Sequence, residues 1–427
     1  MKSGKTFASA CCLALAVSAC STSGGGAASA TSGDTSGGKV LTLAAAGQGP
    51  AKAAVAAFEQ ANPGVTVKTI FTEDDASYQQ QLRTQLSSGT APDVFRMWPG
   101  GGNTMAVRDL GQDGMLMDLS GEGWAGGLSA DLKAVTSDPA GKVVAVPVTI
   151  GAIGAVWNDQ ALQASGLSKP TTWPEVLTFC KDAKAKGVVP FALGLKSAWV
   201  TQLVPYALTA SLVYGPARDF AQQQRDGKAT FGGSAWKQAL EKYVEMRDKG
   251  CFNDSPNGVG YDEQMQMFGQ GKALGVVHVL SAVQSALKYA PQGTTFSMTP
   301  FPATDSADGT YVPVSVGIVY GVNATAKNPA LAKKFMEFLA SPEGQALYAT
   351  ASGSSPALKS PSFKADALQQ PVLDAVAAGR STLYPDQSWP NPKVQQEHLT
   401  SIQELFNGTV DVPSVLSRMD KAFAATK

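Results

Sequence analysis

The apolar positions along the chain alternate between two periods. Residues 40–46, VLTLAAA, read as a strand. Over 50–61, Val55 and Phe58 fall on one helical face, and Asn62-Pro63-Gly64 stops the helix. Val65, Val67 and Phe71 mark a second strand. Tyr78, Leu82 and Leu86 then repeat at i, i+4 and i+8 behind Asp74 or Asp75 as cap, and Gly89 ends that helix. Ala91-Pro92-Asp93-Val94-Phe95 begins a third strand. This alternation predicts a mostly parallel sheet covered by helices.

Residues 141–167, GKVVAVPVTIGAIGAVWNDQALQASGL, carry a different pattern. Val143, Val144, Val146 and Val148 favour strand, and Pro147 cannot donate to a central ladder, so the chain is expected to leave its sheet there. Gly151 and Gly154 permit bending. Ala155-Val156-Trp157-Asn158 predicts a second strand that delivers an aromatic ring and an amide to one place. The stretch reads as a hinge between two α/β lobes, with the default binding groove beside it.

Further along, 188–193 predicts a strand with Ser197-Ala198-Trp199-Val200-Thr201-Gln202 at its carboxyl end. Residues 312–319 read as a return crossing and 353–360 as a third. Trp173 and Trp236 sit on amphipathic helices and are expected in the core. The C-terminal helices, through Ile402, Leu405, Val415, Leu416 and Phe423, are expected to pack on the second lobe.

The first residues change the picture of where the chain works. Lys2 and Lys5 precede an apolar run over 7–19 that is too short to span a bilayer well. It ends Val17-Ser18-Ala19-Cys20, similar to a bacterial lipobox, in which the cysteine takes lipid and becomes the mature N-terminus. Residues 1–19 are thus expected to be a lipoprotein signal peptide, and Ser/Gly-rich 20–38 a flexible tether. Lys+Arg and Asp+Glu are each 34, so the full chain has no net charge. Removing Lys2 and Lys5 leaves 32 basic against 34 acidic groups, a net −2. There is no basic stripe, which argues against nucleic acid. Of the cysteines, Cys180 and Cys251 remain after processing, in an oxidising compartment, as either a disulfide or two buried thiols.

Several of these segments resemble one family. GKVVAVPV…VWND..L..SGL, FEQANPGVTV, APDVF, the Met117-Asp118-Leu119 turn, the TW.E start at Trp173 and Phe268…Gly271-Lys272-Ala273-Leu274 stand in the order seen in the extracellular solute-binding proteins of ABC importers, in the sugar-binding, maltose-binding-protein-like branch. The resemblance covers about residue 39 to the C-terminus. It implies a two-lobed, type II periplasmic-binding-protein-like α/β fold. Lobe 1 would take 39–148 and 317–353, and lobe 2 would take 149–316 and 354–427. It implies a carbohydrate ligand, permease subunits as partners, a monomer touching the membrane only through its N-terminal lipid on the outer face of the cell, and no cofactor or metal. The family usually has Gly-Ser/Thr-Trp after the Phe268 motif. Here His278-Val279-Leu280 stand there, which removes one expected stacking ring.

Sugars present C–H faces to aromatic rings and hydroxyls to amides and carboxylates. Trp98, Trp157, Trp199 and Trp389 lie at strand ends or in cleft loops and are candidate stacking residues, with Tyr384 beside Trp389. Gln48, Glu73 and Gln202 are candidate hydroxyl partners. His278, in an apolar run, is either a ligand contact or a satisfied core residue. The glycines of Pro99-Gly100-Gly101-Gly102, after the third strand, are expected to let backbone approach a ligand. Catalysis fits poorly: the chain has 2 histidines and no Gly-x-Ser-x-Gly elbow. A non-sugar solute such as a polyamine or glycerol phosphate, or a glycan-active enzyme built on two carboxylates, are the alternatives.

Overall fold

A computed structural model describes residues 39–425. The signal peptide, Cys20 and the tether lie outside the described residues. Among the described residues ten strands form one sheet: β1 (Val40–Ala46), β2 (Thr66–Thr72), β3 (Val94–Met97), β4 (Ala145–Asn158), β5 (Val189–Phe191), β6 (Ala273–Val279), β7 (Phe296–Thr299), β8 (Val312–Val322), β9 (Ser355–Pro356) and β10 (Ser381–Thr382). The main order is β2-β1-β3-β8-β4-β6-β5.

Its opening follows the sequence pattern. β1 pairs parallel with β2 and with β3, and helices Gly49–Ala61 and Asp75–Ser87 form the connections. Asp74 caps the second helix by accepting from Ser77 N at 2.8 Å. Asp93 ties the start of β3 to its neighbours. Its carboxylate accepts from Thr42 N and Oγ1 and from Lys327 N at 2.9, 2.6 and 2.6 Å. Burial opposes its charge, but these hydrogen bonds win and hold the carboxyl below its usual range.

Elsewhere the sheet is mixed rather than mostly parallel. β4 runs antiparallel to β8, β6, β7 and β9, and β3 antiparallel to β8. Nor does β4 end at Pro147. It runs on to Asn158, 14 residues in all, and the proline sits at a register shift against β8. That irregularity accommodates the missing N–H, while the Pro147 carbonyl accepts from Gln345 Nε2 at 2.9 Å.

Apolar side chains collect into separate cores. The first holds Leu41, Phe58, Val94, Tyr320, Phe335 and Leu339, with Phe95, Met97, Leu110 and Val319 on the other face of the sheet. The second holds Phe179, Phe191, Trp236, Ile402, Leu405 and Leu416, joined by Phe268, Val276 and Val283 across β6. β4 threads both, with Val146 and Val148 in the first and Ile153 and Trp157 in the second. Between the cores β8 and β9 lie on either side of β4, pairing Val316 and Ser355 with Ile150. Cys180 and Cys251 are bonded, their Cα atoms 4.8 Å apart, pinning helix Trp173–Ala185 to the segment after helix Trp236–Asp248. Among the described residues no helix is long and apolar enough to cross a membrane.

Candidate functional site

The carboxyl ends of β1, β2 and β3 come out on one side of the first core. β1 runs into Gly47-Gln48, β2 into Glu73, and β3 into Trp98. Gln48 Nε2 donates to Glu73 Oε1 at 2.7 Å, so two of the polar candidates meet here. Beneath them lies Arg96, which the sequence reading did not single out. Its Nη1 donates to Asp75 Oδ1 at 2.8 Å and to the Ala46 carbonyl at 3.2 Å. Its guanidinium lies 4.7 Å from the Trp98 ring centroid, a cation–π contact that orients the half-buried indole. Tyr78 locks the same strand from behind, donating to the Arg96 carbonyl at 2.7 Å.

The second core presents its own strand ends. Residues Ala198–Gln202 form a short 3-10 turn after β5 and carry Trp199 and Gln202, both half-buried. The Trp199 ring meets His278 edge-on at 5.1 Å and Tyr261 at 5.2 Å. His278 is fully buried, and burial drives its pKa down to about 3, so the ring is neutral. Its Nδ1 accepts from Val279 N at 2.9 Å, which places the proton on Nε2. His278 is therefore corrected from candidate contact to the wall that supports Trp199. The Tyr261 hydroxyl is pushed up, first by burial, and the Asp75 carboxylate adds to the rise.

Two tryptophans are also corrected. Trp157 is 0% exposed, packed on Phe179 and Phe191 at 5.3 and 5.5 Å, and its Nε1 donates to Thr299 Oγ1 at 2.9 Å. Trp389 is 0% exposed among Tyr206, Phe231, Trp236 and His398. Neither has a free face on which a sugar can stack. A strand places alternate side chains on opposite faces, and at position 157 that face is the core. Tyr384 remains half-buried. Its N donates to Ser315 Oγ at 2.6 Å, while its hydroxyl is buried without a hydrogen-bond partner.

The glycine-rich turn after β3 does something other than expected. It meets protein backbone, not open space. A Cβ on Gly100 would lie 2.3 Å from the Gln387 carbonyl oxygen, and one on Gly102 would lie 2.2 Å from that of Asp386. Gln395 lies next to this seam. Its Nε2 donates to Asp386 Oδ2 at 3.0 Å and to Gln202 Oε1 at 3.1 Å, and its Oε1 accepts from Asn103 Nδ2 at 3.4 Å. Asn103, Asp386 and Gln395 were not singled out, because each lies in a stretch that reads locally as turn or core helix. Nothing in the order of residues shows that they meet.

Candidates thus fall into two groups, Gln48, Glu73 and Trp98 at the ends of β1, β2 and β3, and Trp199 and Gln202 on the turn after β5, and the Asn103–Gln395–Gln202 hydrogen bonds link the two. A surface hollow of about 510 Å³ runs between helix Ala130–Thr136, Tyr214 and Arg218, and Tyr384 is the one candidate lining it. Another, of about 540 Å³, lies against helix Val412–Ala424 and touches none. Among the described residues no group of His, Cys, Asp and Glu is placed to hold a metal ion.

Known proteins share this fold. The chain is 25% identical over 412 residues to a maltodextrin-binding protein, MdxE, of Bacillus subtilis (strain 168), covering 91% of this chain and 89% of that one. It is 23% identical over 340 residues to a multiple sugar-binding protein of Streptococcus mutans, covering 78% and 77%. Among solved structures, a chitin oligosaccharide binding protein superposes with a TM-score of 0.77 at 21% identity, over 90% of this chain and 98% of that one. A Bacillus licheniformis sugar transporter protein in complex with stachyose gives 0.72 at 21% identity, over 91% and 100%. The fold is the two-lobed, type II periplasmic-binding-protein arrangement. The sequence model of the bacterial extracellular solute-binding proteins matches residues 43–346, and the chain belongs to that family.

Proposed function

We propose that this chain is the capture component of an ABC importer for a sugar or oligosaccharide. Cys20 would carry lipid and hold the protein on the outer face of the cell membrane. Residues 39–148 and 317–353 would move as one lobe, and 149–316 and 354–427 as the other, about the β4, β8 and β9 crossings. The observation that carries the reading is that partly buried indoles stand with amide and carboxylate groups at two sets of strand ends, Trp98 with Gln48 and Glu73 and Trp199 with Gln202, which the Asn103–Gln395–Gln202 hydrogen bonds bring near one another. One ring face stacks on a sugar, and the polar groups take its hydroxyls. Closure excludes water, so a hydroxyl left unmatched costs about 1–3 kcal/mol, which is how one sugar is told from another. The closed form would then dock on a permease pair.

The test is a thermal-shift screen followed by calorimetry, with mono- and oligosaccharides, polyamines and phosphate esters. Ligand that binds only the folded state raises stability by RT ln(1 + [L]/Kd). A carbohydrate is expected to shift the melt. A shift by spermidine or glycerol 3-phosphate with none by sugar overturns the substrate class. Release of cleaved product from an oligosaccharide overturns the binding role.

A further inference from the structure

The seam between residues 100–102 and 386–389 joins pieces of chain that belong to different cores. Met97, Met105 and Val107 flank the glycine turn and sit in the first core. Trp389 and Val394 sit in the second. Three successive glycines meet backbone there. Added Cβ atoms would lie 2.3 Å from the Gln387 oxygen, 3.1 Å from the Trp389 oxygen and 2.2 Å from the Asp386 oxygen. Gly100 also has φ +72°, in the left-handed region.

Neither side has slack. On the first, Gly100 N donates to the Val135 carbonyl at 2.9 Å, Arg108 N to the Gly100 carbonyl at 3.0 Å, and Met105 N to Asn103 Oδ1 at 2.8 Å. On the other, Gln387 Nε2 donates to the Val316 carbonyl at 2.8 Å and Trp389 N to the Asp386 carbonyl at 3.1 Å. A methyl group at 102 therefore cannot be absorbed locally, and the two sides must part. Gln395, 7% exposed, hydrogen-bonds three residues at once: Asn103 across the seam, Asp386 on its own side, and Gln202 on the groove rim. Gln202 Oε1 accepts from Gln395, so Gln395 fixes which way the Gln202 amide is turned.

We infer that this seam is a closure clasp, and that Gln395 is a positioning residue that couples the clasp to the groove through Gln202. The inference rests on the ligand-capture reading above. When the lobes approach, the glycine strip seats on the 386–389 backbone and Asn103 reaches Gln395. That bond fixes the amide that orients Gln202 toward a ligand hydroxyl. Ligand and clasp therefore stabilise the same state, and disabling either weakens the other.

The experiment uses the secreted protein with raffinose, maltotriose and chitotriose as probes, read by calorimetry and small-angle X-ray scattering. With the probe that binds, the wild type is expected to contract. Gly102→Val is expected to stay at the ligand-free radius of gyration and to lose at least about tenfold in affinity, since a smaller fraction of molecules reaches the competent state. Its ligand-free melting point is expected to match the wild type. Gln395→Leu leaves the glycine contact in place and is expected to lose affinity non-additively with Gln202→Ala, the double variant binding no worse than Gln202→Ala alone. Contraction and affinity of Gly102→Val equal to wild type would overturn the clasp. A ligand-free Gly102→Val that melts far below wild type would also overturn it, because the seam would then be static packing. Additive losses would remove the role of Gln395. A wild type that binds no probe overturns the capture reading and the inference together, and the wild-type measurement alone tells that case apart.

Discussion

Replacing His398 with Phe should flatten the acid limb of this protein's stability. His398 is 0% exposed, stacked on Tyr206 at 5.7 Å and walled by Trp236 and Trp389 at 5.7 and 5.9 Å. Neither ring nitrogen has a hydrogen-bond partner. Burial lowers its pKa from 6.5 to about 3. Between those values the unfolded chain takes a proton and the folded chain does not. Stability is thus retained above the unfolded pKa and lost as pH falls below it. At pH 5 the loss from this one residue is about 2 kcal/mol, against about 0.2 kcal/mol at pH 7, from RT ln(1 + 10^(pKa − pH)) with the unfolded value. Phe keeps the aromatic stack and discards two unpaired nitrogens, so no hydrogen bond is lost with it. The assay is guanidinium unfolding of both proteins, disulfide intact, at pH 7 and pH 5. The advantage of His398→Phe over wild type should grow by about 2 kcal/mol on acidification. His278 pulls in the same direction, and Asp386 and Asp109, each raised to about 6 with burial the largest cause, pull in the opposite one. All three are present in both proteins and cancel in the difference. An advantage of the same size at both pH values would refute the reasoning.

Trp199→Ala should reduce sugar affinity by at least about tenfold with the melting point held within a few degrees, since the ring is half-exposed on the rim; calorimetry and a melt together decide, and a collapse of the melt would mark the ring as core. Trp157→Ala should do the reverse, costing about 3–5 kcal/mol in denaturant unfolding while the folded fraction binds normally. Converting Cys180 and Cys251 both to Ser should cost about 4 kcal/mol by the chain-entropy relation, as the bridge spans a sequence separation of 71; an unchanged unfolding midpoint would show that the loop is already constrained in the unfolded chain.

Much of the architecture was legible because it is local. Val40–Ala46 and the helix behind Asp74, with Tyr78 and Leu82 on its buried face, each follow from spacing within one element. The burial of Trp173 and Trp236 follows from the same amphipathic pattern. Pro147 misled because a proline forbids a ladder bond but not a strand, and the partner strand absorbed it in a register shift. The polar rim was half legible. Gln48, Glu73, Trp98, Trp199 and Gln202 all follow strand ends, and a strand's carboxyl end is where open α/β sheets gather function.

The order of residues by itself determined the strand–helix alternation, the family and a short set of side chains at strand ends. Only the tertiary structure decided which indoles keep a face in solvent. Trp157 and Trp389 are chemically as suited to stacking as Trp98 and Trp199, and they differ only in what the fold lays against them. The fold likewise decided that the glycines after β3 approach backbone instead of ligand, and that Asn103, Gln202, Asp386 and Gln395 meet. Asn103 and Gln395 are separated by 292 positions, and Gln202 and Gln395 by 193. No periodicity records such a contact, because it is fixed by how two cores pack about β4 and β8.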